Sequence, residues 1–212
     1  MISVTNKNYL DILIQGIIES CSGVMIYSSG GTHKAITEIL GSQKSQLHLR
    51  EVSQYTGQPE TEGGLVKTLH HKLFLGYLTE THCIAHQADL KRENAVPIDL
   101  VVINFYPFAE TVEKTDVTIE DARGNIDVGG PSALRASAKN WHRVMTLPLA
   151  DLEIYQRFLQ SLRMNNGRTN LKMRFDGWIA TFGVLSRYDS AIYNYLLKEA
   201  DFANVQKVYE IN

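Results

Sequence analysis

The sequence predicts an α/β domain built on a parallel sheet, and three observations carry that prediction. Short apolar segments rich in β-branched residues alternate with stretches whose apolar residues return at helical spacing. The run Ile98-Asp99-Leu100-Val101-Val102-Ile103 has the length and composition of a strand buried on both faces, as strands of a parallel sheet are. The segments also follow one another as strand, helix, strand, loop, helix, the order that lays helices over a parallel sheet.

Met1 to Val4 reads as the first strand and Thr5-Asn6-Lys7-Asn8 as a polar turn. Leu10, Leu13, Ile14, Ile17 and Ile18 mark one face of a helix. Gly23 to Tyr27 is the second strand, which runs into Ser28-Ser29-Gly30-Gly31-Thr32 and a helix through about Leu40. A third strand is expected from Leu47 to Val52, and the turn formers between Ser53 and Gly64 predict an exposed loop. Beyond it come a helix around Lys72 to Thr81, a solvated polar stretch over 82–95, the buried strand, a helix started by Pro131, and a strand at Val144 to Leu147. Two long helical patterns follow, over about 150–164 and 170–197. The expected organisation is a core over about 1–148, a helical extension over about 149–200 and a tail over 201–212, with no internal repeat.

Composition narrows the function. Hydrophobic residues make up 44% and charged residues 21% of the chain, as in ordinary globular proteins. A net charge of -2 offers no basic excess to draw nucleic acid or an acidic membrane surface, so an anionic ligand needs a local site. The two cysteines, Cys21 and Cys83, form no metal motif and read as reduced thiols. No basic flank precedes an apolar segment at the start, and no apolar run has spanning length, which leads us to expect a cytoplasmic protein.

Three clusters have residue types that do chemistry. Ser29-Gly30-Gly31-Thr32 lies between a strand and a helix, where backbone N–H groups, hydroxyls and the helix terminus can cradle a phosphate. Small residues also make ordinary strand-to-helix turns, but Thr5 and Lys7 end the neighbouring strand and their loop reaches the same edge. Lys67, Thr68 and His70 follow a glycine-rich loop; Lys67 suits stabilisation of an oxyanion, and a solvated lysine is the plainer reading. The third cluster runs from Asn104 to Asn140. Asn104 and Tyr106 end the buried strand, Asp127 precedes Gly129-Gly130, and Arg135 and Lys139 ride the following helix. Helix geometry alone does not bring Lys139 to Asp127, because the two are separated by more than two turns. His70 and His71 are adjacent and make a poor metal pair, which leaves acid/base work by Lys, Tyr and Asp.

Taken in order, the segments resemble the inosine monophosphate (IMP) cyclohydrolase domain of bifunctional purine-biosynthesis proteins. The resemblance rests on Val4-Thr5-Asn6-Lys7, Ser29-Gly30-Gly31-Thr32, Val52-Ser53-Gln54-Tyr55-Thr56-Gly57 and Val66-Lys67-Thr68-Leu69-His70 in the first half. It continues through Asn104-Phe105-Tyr106-Pro107-Phe108, Asn125-Ile126-Asp127-Val128-Gly129-Gly130, Arg135 to Asn140, Arg174-Phe175-Asp176 and Tyr188-Asp189. It implies a three-layer, methylglyoxal-synthase-like sandwich on a mostly parallel sheet, with C-terminal helices and use as a homodimer. The implied reaction closes the purine ring of 5-formamidoimidazole-4-carboxamide ribonucleotide with loss of water, and needs neither metal nor organic cofactor. By position, Thr5, Lys7, Ser29, Gly30, Gly31 and Thr32 would hold the phosphate, with Gly129 beside the substrate. Lys67 would stabilise the formyl oxyanion, Asp127 with Lys139 would take the amide proton, and Asn104, Tyr106 and Thr68 would orient the base.

The chain departs from that pattern in places. Leu65 stands where the resemblance implies arginine, Asn6 where it implies aspartate and Asn8 where it implies glycine. His70 to Gly76 has lost a proline, a histidine and a glycine, and Leu75 at the glycine position would be strained at positive φ. Arg123 is one cation that could compensate for Leu65. The formyltransferase half is not in this sequence and would come from another chain or portion. A purine-nucleotide-binding module without turnover and a methylglyoxal-synthase-like lyase are the competing expectations.

Overall fold

The computed structural model describes residues 1–59, 61, 66–113 and 117–199. Strand β1 (Ile2–Val4), helix α1 (Leu10–Ser20), β2 (Ile26–Ser28), α2 (Gly30–His48) and β3 (Leu49–Glu51) come first. Helices α3 (Val52–Thr56), α4 (His71–Leu78) and α5 (Ile84–Arg92) lead to β4 (Leu100–Asn104). Then follow α6 (Phe108–Val112), α7 (Ile119–Gly124), α8 (Gly129–Lys139), β5 (Met145–Leu147), α9 (Leu152–Met164) and α10 (Leu171–Glu199).

Every ladder among the described residues is parallel: β1 pairs with β4, β4 with β5, and β2 with β3. β1 also lies against β2, so the two ladders adjoin. Alternation along β4 explains the layering, because successive strand side chains leave opposite faces. Val102 joins Ile2, Val4 and Leu147 beneath α1, α2 and α9. Val101 and Ile103 join Leu73 and Tyr77 of α4, Ala133 and Leu134 of α8, and Leu185 of α10 on the other face. The result is a three-layer α/β sandwich on a parallel sheet, as the resemblance implies. The two C-terminal helices are integral to it: α9 covers one face, and α10 presses on β5 closely enough that a Cβ on Gly177 would meet the Thr146 carbonyl at 2.6 Å.

Several boundaries differ from expectation. The loop expected from Ser53 begins as the short helix α3, and α5 occupies part of the polar stretch over 82–95. The run of α2 passes the predicted end at Leu40, but at Gly41 the backbone leaves helical geometry, with φ 69° and ψ 169°. Leu75 sits inside α4, away from the positive-φ positions, so the strain feared there does not arise. The glycine that α4 needs is Gly76: a Cβ there would meet the Val96 carbonyl at 2.7 Å. Leu65 and the tail over 201–212 lie outside the described residues. Among the described residues no helix is long and apolar enough to cross a membrane.

Candidate functional site

Parallel pairing sends β1, β2, β4 and β5 to one edge, and the loops that leave that edge hold most of the predicted residues. At the end of β2, Ser29 takes extended geometry as the N-cap of α2 and makes no side-chain cap. Gly30 then turns the chain at φ 54°, a conformation that favours glycine. The first N–H groups of α2 have no partner within the helix, and the helix dipole adds partial positive charge. Lys7 reaches this terminus from the next loop: a Cβ on Gly31 would lie 4.0 Å from its Nζ. Ser28 adds a hydroxyl that is fully buried and has no partner among the described residues. Thr32 departs from the prediction. Its hydroxyl donates to the Val4 carbonyl and accepts from the Val4 N–H, both at 3.0 Å, so the side chain ties α2 to β1 and only its backbone can serve an anion.

Asn104 is likewise committed. Its Oδ1 accepts from the N–H groups of Thr5 at 2.9 Å and Asn6 at 2.8 Å, while its Nδ2 donates to the Asn6 carbonyl at 3.0 Å. The residue expected to orient a base instead fixes the β1–α1 loop, and with it Lys7. Asn6 keeps the acceptor an aspartate would offer, since its Oδ1 takes the Asn8 N–H at 2.9 Å. On the other side of this loop lies a cleft of 690 Å³ whose lining includes Thr5, Asn104, Tyr106, Pro148, Arg187 and Tyr188. Its size is that of a small-molecule site. Tyr106 is 65% exposed in it and can offer a ring face and a hydroxyl. Arg187 was not singled out from sequence; it lies in a helical pattern beside Tyr188-Asp189, with no local signal that it would face a cleft.

The start of α8 gathers a third group. Asp127 Oδ1 accepts the Gly130 N–H at 3.0 Å, and Oδ2 has no hydrogen bond among the described residues. A Cβ on Gly129 would approach Thr68 Oγ1 at 3.1 Å, so Thr68, Gly129 and Asp127 meet here. The Asp127 N–H donates to the Tyr188 hydroxyl at 2.7 Å, and the Tyr188 ring packs edge-on against Phe105 with centroids 4.6 Å apart. Burial is the main reason the Tyr188 phenol is harder to ionise than usual, so it stays protonated at neutral pH. Lys67 is exposed on the loop before α4. Lys139 is exposed in the last turn of α8. With 11 residues in α8, about 16 Å of helix separates it from Asp127, and no pair forms within one chain. Arg123, on the exposed face of α7, makes three contacts of 2.8 to 3.1 Å with Glu120. No cluster of metal-ligating side chains occurs among the described residues.

Residues 20–132 match the MGS-like domain family, and residues 137–212 match the AICARFT/IMPCHase bienzyme family. The chain is 38% identical over 213 residues to the protein of Leptospira biflexa named "Bifunctional purine biosynthesis protein PurH", covering 98% of this chain and 39% of that protein. A protein of the same name from Rippkaea orientalis is 40% identical over 197 residues, 93% of this chain and 36% of the relative. The chain thus spans under two fifths of the length of these curated relatives. A solved structure titled "Crystal structure of ForH" shares the fold, with a TM-score of 0.72 at 23% identity over 91% of this chain and 95% of the other.

Proposed function

The chain belongs to the MGS-like domain family, and from that premise we propose that it works in purine biosynthesis as an IMP cyclohydrolase, closing the ring of 5-formamidoimidazole-4-carboxamide ribonucleotide. The observation that carries the reading is the triple hydrogen bonding of Asn104 to the β1–α1 loop, which makes Lys7 at the α2 terminus and the cleft beside Tyr106 two sides of one braced element. A nucleotide laid along this edge puts its phosphate on Lys7 and the Gly30–Gly31 backbone and its base in the cleft.

An amide nitrogen is a weak nucleophile, so orientation and charge stabilisation must supply most of the rate. The carboxamide nitrogen attacks the formyl carbon and a C–N bond forms. The unused Oδ2 of Asp127 takes one proton from that nitrogen and passes it to the former formyl oxygen, whose developing charge Lys67 stabilises; the formamido N–H then gives its proton to the resulting hydroxyl, the C–O bond breaks as a C=N bond forms, and the oxygen leaves as water. Lys139 enters such a site only from a second copy, and we extend the proposal to a homodimer in the cytoplasm. An exposed apolar face on α10, including Phe175, Ile179 and Phe182 beside the stacked pair Trp141 and Trp178, supports it. The formyltransferase activity would come from another portion or chain.

The separation of Lys139 from Asp127 favours a second reading, a nucleotide-binding module without turnover. Comparing Lys67→Met with the parent protein separates the two. The cyclohydrolase predicts a fall in kcat of roughly 100-fold with nucleotide binding retained. A parent protein that binds IMP but does not turn over the formamido nucleotide would establish the module.

A further inference from the structure

Arg187 sits on the face of α10 that closes the cleft, where the lining also includes the carboxylates of Glu110 and Asp151. No carboxylate among the described residues forms an ion pair with it. Asp189, on the same helix, is taken by Arg135 at 3.2 Å, and Asp151 caps α9 by accepting the Ile154 N–H at 2.9 Å. The guanidinium lies back over Gly183, with a nitrogen 3.5 Å from where a Cβ would stand, as a long helical side chain pointing toward the N-terminus should. The lining of the cleft thus includes Arg187, whose guanidinium has no ion-pair partner among the described residues, together with the exposed phenol ring of Tyr106 and the apolar walls of Phe105, Pro107 and Leu149. That set fits a flat heterocycle with an oxygen on its rim: the ring lies against the aromatic and proline surfaces, and the fork donates to the oxygen.

We propose that Arg187 reads the carbonyl oxygen of the bound base, the carboxamide oxygen of the substrate that becomes the 6-oxygen of the product. The assignment rests on the purine-nucleotide reading above and adds a specificity-determining residue to it. Arg187 is a binding residue and not an acid or base: guanidinium stays charged, so it selects an acceptor at that rim position and disfavours an amino group there.

Calorimetric titration tests this with two ligands, IMP and purine riboside 5′-monophosphate, which lacks the 6-oxygen. The parent protein should prefer IMP by roughly tenfold or more, the value of one charge-assisted hydrogen bond. Arg187→Gln should bind both ligands about equally by losing affinity for IMP alone, and Arg187→Lys, which keeps the charge but not the fork, should fall between. Because Arg187 is exposed, these variants should fold, and the unchanged affinity for the 6-deoxygenated ligand serves as the check. An undiminished preference for IMP in Arg187→Gln overturns the assignment while leaving the nucleotide reading intact. Failure of the parent protein to bind either ligand overturns both. Turnover plays no part in the readout, so a binding module without catalysis would give the same answer.

Discussion

Two helix ends in this chain solve opposite problems. At the C-terminus of α4 the last carbonyls are saturated from inside the protein: Asn140 Nδ2 donates to Tyr77 O at 2.8 Å and Thr79 O at 2.9 Å, and Arg143 donates to Thr79 O at 2.8 Å, to Ile98 O at 3.3 Å and to Gly76 O. At the N-terminus of α2 the protein supplies no side-chain cap and brings Lys7 alongside. Both ends are polar and both carry a cation. One has its last carbonyls bonded by side chains and holds the fold together; the other leaves its first N–H groups without a side-chain cap. Polar density alone does not mark a site, and what distinguishes the two is whether the donors are already used.

The largest effect should come from breaking the closed end. Burial makes the Arg143 guanidinium somewhat easier to deprotonate than usual, with the Asp99 carboxylate opposing, and several carbonyls depend on it. Arg143→Met should cost about 3 kcal/mol in urea unfolding, with no selective loss of ligand affinity. A loss below about 1 kcal/mol would show that the staple is dispensable. Next comes Gly76→Ala, whose new methyl would press on the Val96 carbonyl at 2.7 Å and on Ile98; about 1–3 kcal/mol of destabilisation is expected by thermal unfolding.

Asn104→Ala stands between the two classes, since it loosens the β1–α1 loop and Lys7 together. Stability should fall by about 1–2 kcal/mol, and affinity for IMP should fall as well, which calorimetry and denaturation on the same sample would reveal. Lys7→Met should be the smallest in stability, within about 0.5 kcal/mol of the parent protein, yet weaken IMP binding roughly tenfold. If it destabilises the fold as much as Arg143→Met does, the α2 terminus is another closed end and the comparison collapses.

The sequence exposed the layering well because strand residues declare themselves: Val101, Val102 and Ile103 read as buried on both faces, and they are. Ser29 to Thr32, Thr5 with Lys7, and Asn104 with Tyr106 share one edge for the same reason, since each follows a strand, whereas Lys67 and Thr68 follow none among the described residues. Individual roles were less legible. Thr32 and Asn104 look like ligand donors in a line of text, but their partners, Val4 and the Thr5–Asn6 backbone, are 28 and 98 to 99 positions away. What Asn140 and Arg143 do is hidden in the sequence for the same reason, their acceptors lying at the end of α4, at Thr79 and at Ile98. Arg187 was invisible because only the packing of α10 over β5 turns that helix face toward a cleft. Lys139 shows the converse limit: one helix holds it away from Asp127, and sequence spacing had already warned of it.

Closure of a purine ring at this edge, as proposed above, is open to a product assay. Purified protein incubated with 5-formamidoimidazole-4-carboxamide ribonucleotide, with IMP followed by chromatography, tests it most directly. IMP should form well above the uncatalysed rate, and its formation should fall roughly 100-fold in Lys67→Met. A parent protein that produces IMP no faster than buffer would contradict it.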